Sequence, residues 1–155
     1  MNKSIWGPIT WIVLHSLLNK IRVNSLNKND IDNLKNIIYN IISNLPCGDC
    51  TLHSTNYFRT NKFYKLNTIE DINFFLYKFH NMVNEKTKKT IVMTYEESKL
   101  KYFSLQLTKV INHFILVYRN TNATNIHLIL DSFNRKKMLN DFINYMKKNQ
   151  GLYSS

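Results

Sequence analysis

Apolar positions recur at helical spacing through most of the chain. After Pro8, the stretch TWIVLHSLLNKI places Trp11, His15 and Leu18 at successive i+4 and i+3 steps, so Trp11 and His15 share a face, and Pro8 suits a first helical turn. Asn29 or Asp30 can cap a second helix, in which Ile31, Leu34, Ile38, Ile41, Ile42 and Leu45 repeat until Pro46 stops it. A third helix begins at the cysteines, with Cys47, Cys50, Ser54, Tyr57 and Phe58 along one side and His53 one turn beyond Cys50. Thr68 to Asp71 reads as a capping box for a fourth, whose stripe of Ile72, Phe75, Leu76, Phe79, His80 and Val83 runs to the basic KTKK at 86–89. Thr94 and Glu97 open a fifth that continues through Leu100, Phe103, Leu107, Val110, Ile111 and Phe114. TNATN at 121–125 reads as a turn or linker, and IHLIL at 126–130 as a short strand or a helix start. Leu139, Phe142, Ile143 and Met146 mark a last helix that stops near Gly151.

Composition supports an all-α chain. Three glycines and two prolines in 155 residues leave few breaks for a turn-rich β protein, and 44% hydrophobic content excludes disorder. The length suits one compact unit. Asn, Ile and Lys dominate every segment, as an AT-rich source genome would produce. A formal charge of +11 favours an acidic partner or nucleic acid. The basic residues come as scattered pairs without a stripe, however, which argues against nucleic-acid binding as the main role. The start, MNKSIWGPITW, is not a secretion signal, and no stretch reaches the roughly 18 apolar residues of a membrane span. The expectation is a soluble protein without a membrane span.

Both cysteines of the chain lie in NLPCGDCTLH at 44–53. A single close pair is not the framework of a disulfide-stapled secreted domain. After Pro46, Cys47 falls in the first turn of a helix, where unpaired N–H groups and the helix dipole stabilise a thiolate. The spacing also brings two sulfurs within bonding range. Three readings follow: a thioredoxin-like oxidoreductase, disfavoured by the helical stretch before the motif; a zinc site using Cys47, Cys50, His53 and another histidine; and a helical redox protein with a bound cofactor.

WGPITWIVLHSL at 6–17, LPCGDCTLH at 45–53 and FHNMVNEKTKK at 79–89 occur in this order. Together they resemble the Erv/ALR family of FAD-linked sulfhydryl oxidases, with its W-G-x-x-x-W-x-x-x-H, P-C-x-x-C and H-N-x-V-N-x-K-x-x-K segments. The TLH after the cysteines is most similar to the small versions encoded by large DNA viruses. The resemblance implies a four-helix bundle over residues 1–98 that holds FAD at one end, followed by a mainly helical extension over 99–155. That extension would pack on the bundle or at a subunit interface.

The resemblance also implies roles. Cys50 would lie against the flavin C4a and pass electrons to it, while Cys47 would exchange with incoming thiols. Trp11 and His15 would line the flavin pocket, although taken alone they read as core residues. Gly7 would be among the cofactor-binding residues, and His53 would sit near the flavin or the adenine portion. His80, Asn81 and Asn84 would hold the adenosine part, with Lys86 and Lys89 near the pyrophosphate and Tyr95 near the adenine. Phe75 stands where the family places a tryptophan, keeping an aromatic plate without the indole N–H.

Many relatives carry further shuttle or bracing cysteines, and this chain has none. A separate dithiol protein would therefore be the reductant, O2 the acceptor and H2O2 the product, and any homodimer would be non-covalent. The implied location is the host cytoplasm, and the virion if the source is viral. The alternative is a non-catalytic module, either a zinc-stabilised helical adaptor or a basic nucleic-acid binder.

Overall fold

The computed structural model describes residues 2–89, 93–120 and 126–155, with only the backbone described for 126–129. The expected turn at 121–125 lies outside these residues. The described residues form seven α-helices and no β-sheet: α1 (Lys3–Lys20), α2 (Lys28–Ile42), α3 (Gly48–Thr60), α4 (Ile69–Lys86), α5 (Tyr95–Phe103), α6 (Leu107–Arg119) and α7 (Ile126–Asn149). The all-α expectation holds.

Helix α1 is the hub. It is apolar around most of its circumference, as a helix buried on several sides must be, and it packs against α4, α5 and α6. It starts earlier than the sequence suggested. Asn2 caps it by accepting from the Ser4 N–H, so Pro8 sits inside the helix rather than in its first turn. Pro8 is exposed, so the Ser4 carbonyl that loses its helical partner faces the solvent side.

The cap of α2 also differs from the expectation. Asn27 is the N-cap, and Asp30 completes the box from the third helical position, with reciprocal bonds of 2.8 and 3.1 Å. Thr68 caps α4 as expected, accepting from the Asp71 N–H at 3.1 Å. Helix α4 ends in a Schellman turn: Lys89 N–H bonds the Asn84 carbonyl, Lys88 N–H bonds the Glu85 carbonyl, and Lys88 takes φ 58°.

The expected fifth helix is two helices. Its apolar stripe passes unbroken through residues 104–106, so periodicity alone gives no boundary. The break comes from a tertiary contact, because the buried Lys20 of α1 donates to the Phe103 carbonyl at 2.8 Å and caps the end of α5. Leu100 and Phe103 are exposed, whereas Leu107, Val110 and Phe114 of α6 are buried, with α6 packed on α1. The ambiguous segment 126–130 is the first part of the 24-residue α7, which packs on α2. Phe114 and Phe142 meet edge to face at 5.1 Å in a core shared with α1 and α2. After α7 the chain returns to the end of α1, where Arg22 N–H bonds the Leu152 carbonyl and Ser154 N–H bonds the Lys20 carbonyl.

Candidate active site

Pro46 separates α2 from α3, and Cys47 is the residue that starts α3. It is the N-cap rather than a first-turn residue, with extended backbone and its sulfur 3.2 Å from the Cys50 N–H. The Cys47 and Cys50 sulfurs are joined as a disulfide with the Cα atoms 5.2 Å apart. A sulfur at an N-cap faces the free N–H groups and the positive end of the dipole, which favours the thiolate once the bond opens.

Cys50 forms part of the wall of a cavity of about 320 Å³ between α1, α3 and α4, a size within the small-molecule range. Helix α1 contributes Lys3, Trp6, Gly7, Thr10, Trp11 and Leu14, and α4 contributes Phe79, Val83 and Lys86, followed by Thr87. His53 and Ser54 of α3 complete the side that carries Cys50. Trp6 Nε1 is buried in this lining and has no hydrogen-bond partner among the described residues. A buried N–H left unpaired costs about 1–3 kcal/mol, so the wall is short of an acceptor.

Beside the cavity runs a column of rings. Trp11 stacks on His80 at 3.9 Å with planes 7° apart, and Tyr102 stacks on His15 at 4.3 Å with planes 8° apart. His15 Nε2 and His80 Nδ1 share a 2.9 Å hydrogen bond that joins the two stacks, while the buried His15 Nδ1 has no partner among the described residues. Burial, then His80 and Lys101, hold His15 well below the ordinary imidazole range. His80 is lowered to about 4 by burial and the nearby Lys101 and Lys89. Burial, Lys86 and Lys3 also lower His53. Burial is the larger cause of all three shifts and the nearby lysines the smaller, and together they favour neutral imidazoles beside a lysine-edged cavity.

The residues singled out from sequence divide into groups. Gly7, Trp11, Cys50, His53 and Lys86 line the cavity, and His15 and His80 reach it through Trp11. Asn84 is buried at the end of α4, whereas Asn81 and Lys89 are exposed and outside the lining. Phe75 packs into an aromatic core with Tyr57, Phe58 and Phe63. Tyr95 lies against Phe74 and Tyr77 and donates to Glu70 at 3.0 Å, which together with burial raises its hydroxyl pKa.

Sequence reasoning missed Trp6, Thr10, Phe79, Val83 and Tyr102 as site residues. The first four were open to it, because Trp6 and Thr10 lie one turn apart beside Gly7 and Trp11, and Phe79, Val83 and Lys86 share a face of α4. Tyr102 required the tertiary fold. The zinc set does not assemble: among the described residues no group of three or more His, Cys, Asp or Glu is placed to hold a metal ion.

A helical bundle with a CxxC disulfide in the wall of an aromatic, lysine-edged cavity defines a dithiol–disulfide oxidoreductase class. The Erv1 / Alr family model matches residues 8–103, and the chain belongs to that family. It is 32% identical over 81 residues to the probable FAD-linked sulfhydryl oxidase of fowlpox virus (strain NVSL), covering 52% of this chain and 80% of the relative. Over 108 residues it is 32% identical to the FAD-linked sulfhydryl oxidase of African swine fever virus (isolate Pig/Kenya/KEN-50/1950), covering 62% and 84%. The probable FAD-linked sulfhydryl oxidase of variola virus (isolate Human/India/Ind3/1967) is 29% identical over 84 residues, covering 54% and 81%. No solved structure matches the chain.

Proposed function

We propose that the chain is an FAD-dependent sulfhydryl oxidase that converts pairs of protein thiols to disulfides through Cys47 and Cys50. The observation that carries this reading is that Cys50 forms part of the cavity wall while Cys47, its disulfide partner, lies outside the lining at the helix cap. The cavity fits a flavin nucleotide. Its walls are aromatic at Trp6, Trp11 and Phe79, its orphaned Trp6 N–H seeks an acceptor, and Lys3 and Lys86 stand ready for an anionic group. Gly7, Trp11, His15, His53 and Lys86 would hold it, together with His80, Asn81 and Asn84 of α4. When bound, FAD accepts the electron pair from the cysteines and passes it to O2, giving H2O2.

A substrate thiolate attacks Cys47 Sγ, the Cys47–Cys50 bond breaks, and Cys50 leaves as a thiolate. A second substrate thiolate then attacks the mixed disulfide and releases Cys47, so the substrate gains a disulfide and the enzyme pair holds two electrons. The free N–H groups at the start of α3 favour the released thiolates.

Both cysteines of the chain are in this pair, so its direct reductant is a dithiol on a separate relay or substrate protein. The cofactor-holding bundle expected at 1–98 and the helical extension expected at 99–155 would meet inside α5, so the bundle is drawn to take in the whole of α5 and the extension to begin with α6. The assembly is a non-covalent homodimer, for which exposed Leu116, Leu130 and Phe133 offer apolar surface. No helix of the described residues is long and apolar enough to cross a membrane. Since the relatives are viral proteins, the partner is to be sought in the host cytoplasm and the virion. Oxygen consumption with a small dithiol, and its loss when either cysteine is replaced, tests the reading.

A further inference from the structure

We infer that Arg135 of α7 is a positioning residue for the Cys47–Cys50 pair, clamping the Leu45 carbonyl at the start of the Pro46–Cys47 turn and lending that turn a positive charge. The inference rests on the thiol-oxidase reading. Leu45 is buried and lines the cavity, and its carbonyl gathers two donors at 3.4 Å each: Thr51 Oγ1, from the residue after Cys50, and Arg135 Nη1, ninety positions along the chain. One carbonyl thus ties the redox turn to α3 on one side and α7 on the other. Arg135 lies beyond residues 8–103, so it falls outside the segment that matches the family.

The electrostatics of Arg135 point the same way. Among the described residues its buried Nε has no hydrogen-bond partner and no carboxylate forms an ion pair with it. Burial lowers its pKa, and among the described residues Asp131, one turn earlier on α7, and Tyr118 of α6 are the titratable groups whose fields reach it. Tyr118 is itself held protonated by burial and shares a 2.6 Å hydrogen bond with Thr10 of the cavity wall. A half-buried cation without a paired anion is costly. A thiolate formed at the turn lowers that cost, and the oxidised pair carries no charge to do so. Arg135 therefore favours the reduced state and makes the disulfide a stronger oxidant. On this reading α7 does more than pack, because it tunes the pair.

The test compares holoenzyme carrying Arg135→Gln, Arg135→Lys or Asp131→Asn with the parent. The equilibrium of the cysteine pair with dithiothreitol is read anaerobically by alkylation and mass, and the thiolate pKa by the pH dependence of alkylation in a Cys50→Ser background. Arg135→Gln should make the pair about fivefold easier to oxidise, equivalent to about 20 mV for a two-electron couple, and raise the Cys47 pKa. Arg135→Lys should return both values to within about twofold of the parent. Asp131→Asn, at an exposed position, should shift both in the opposite sense and keeps the test alive if Arg135→Gln does not fold. Unchanged values in a folded Arg135→Gln protein, a Lys variant as altered as the Gln variant, or no shift in Asp131→Asn would each overturn the inference. If the parent holds no flavin, the oxidase reading fails, but the dithiothreitol equilibrium still decides the Arg135 clamp.

Discussion

His15 of α1 and His80 of α4, 65 positions apart, are joined by a 2.9 Å hydrogen bond between Nε2 and Nδ1. One nitrogen must donate and the other accept, so the contact needs at least one neutral ring. Burial acts on both in the same direction. A histidine with a depressed folded pKa gives its full stability above the unfolded value near 6.5 and loses it as pH falls toward the folded value. For His80 the window runs from about 6.5 down to about 4. His80 alone should cost about 2 kcal/mol between pH 7 and pH 5, with His15 adding in the same sense. Urea denaturation of cofactor-free protein at the two pH values checks this, and His80→Gln should flatten the slope.

Gly7 is a helical glycine in the cavity wall. A Cβ there would meet only Lys3 Cγ at 3.6 Å, an ordinary contact, so the protein itself does not require glycine. Gly7→Ala should therefore stabilise the cofactor-free protein by about 1 kcal/mol through helix propensity. The added methyl would take space from a bound flavin and weaken its retention roughly tenfold. Thermal melts and flavin titration should move in opposite directions.

The two cysteines should separate by role. Cys50→Ser should abolish reduction of bound flavin by any dithiol, because it removes the sulfur in the cavity wall. Cys47→Ser should block exchange with incoming thiols while leaving the Cys50 sulfur in place. Stopped-flow flavin reduction and oxygen uptake, measured on both variants, distinguish the two. Full activity in both would contradict the assignment.

Lys88 holds φ 58° in the turn that ends α4. A side chain in the left-handed region costs about 1 kcal/mol relative to glycine, so Lys88→Gly should raise stability by about that amount, or roughly 2–4 °C in Tm for a chain of this size. Scanning calorimetry of the variant reads it.

What the sequence showed of this architecture was whatever is local. Helical periods located α1 to α4 and the later part of α7, but merged α5 with α6 and left the start of α7 open, and Thr68, Thr94 and Glu97 marked their caps correctly. Boundaries set by distant groups were not legible. The end of α5 depends on Lys20 reaching the Phe103 carbonyl, and the column of Trp11, His80, His15 and Tyr102 depends on α1, α4 and α5 meeting. In the same way, Phe75 lies on the α4 stripe between residues facing the core and residues facing the cavity. Only packing decides that it joins Phe58 and Phe63.

The most direct measurement is the visible spectrum of the purified protein before and after anaerobic addition of a dithiol. A sulfhydryl oxidase with Cys50 in its flavin pocket should be yellow with about one flavin per chain, bleach when the dithiol is added, and recover its colour with H2O2 formation when air is admitted. A colourless protein, or one whose flavin keeps its absorption in the presence of the dithiol, would contradict it.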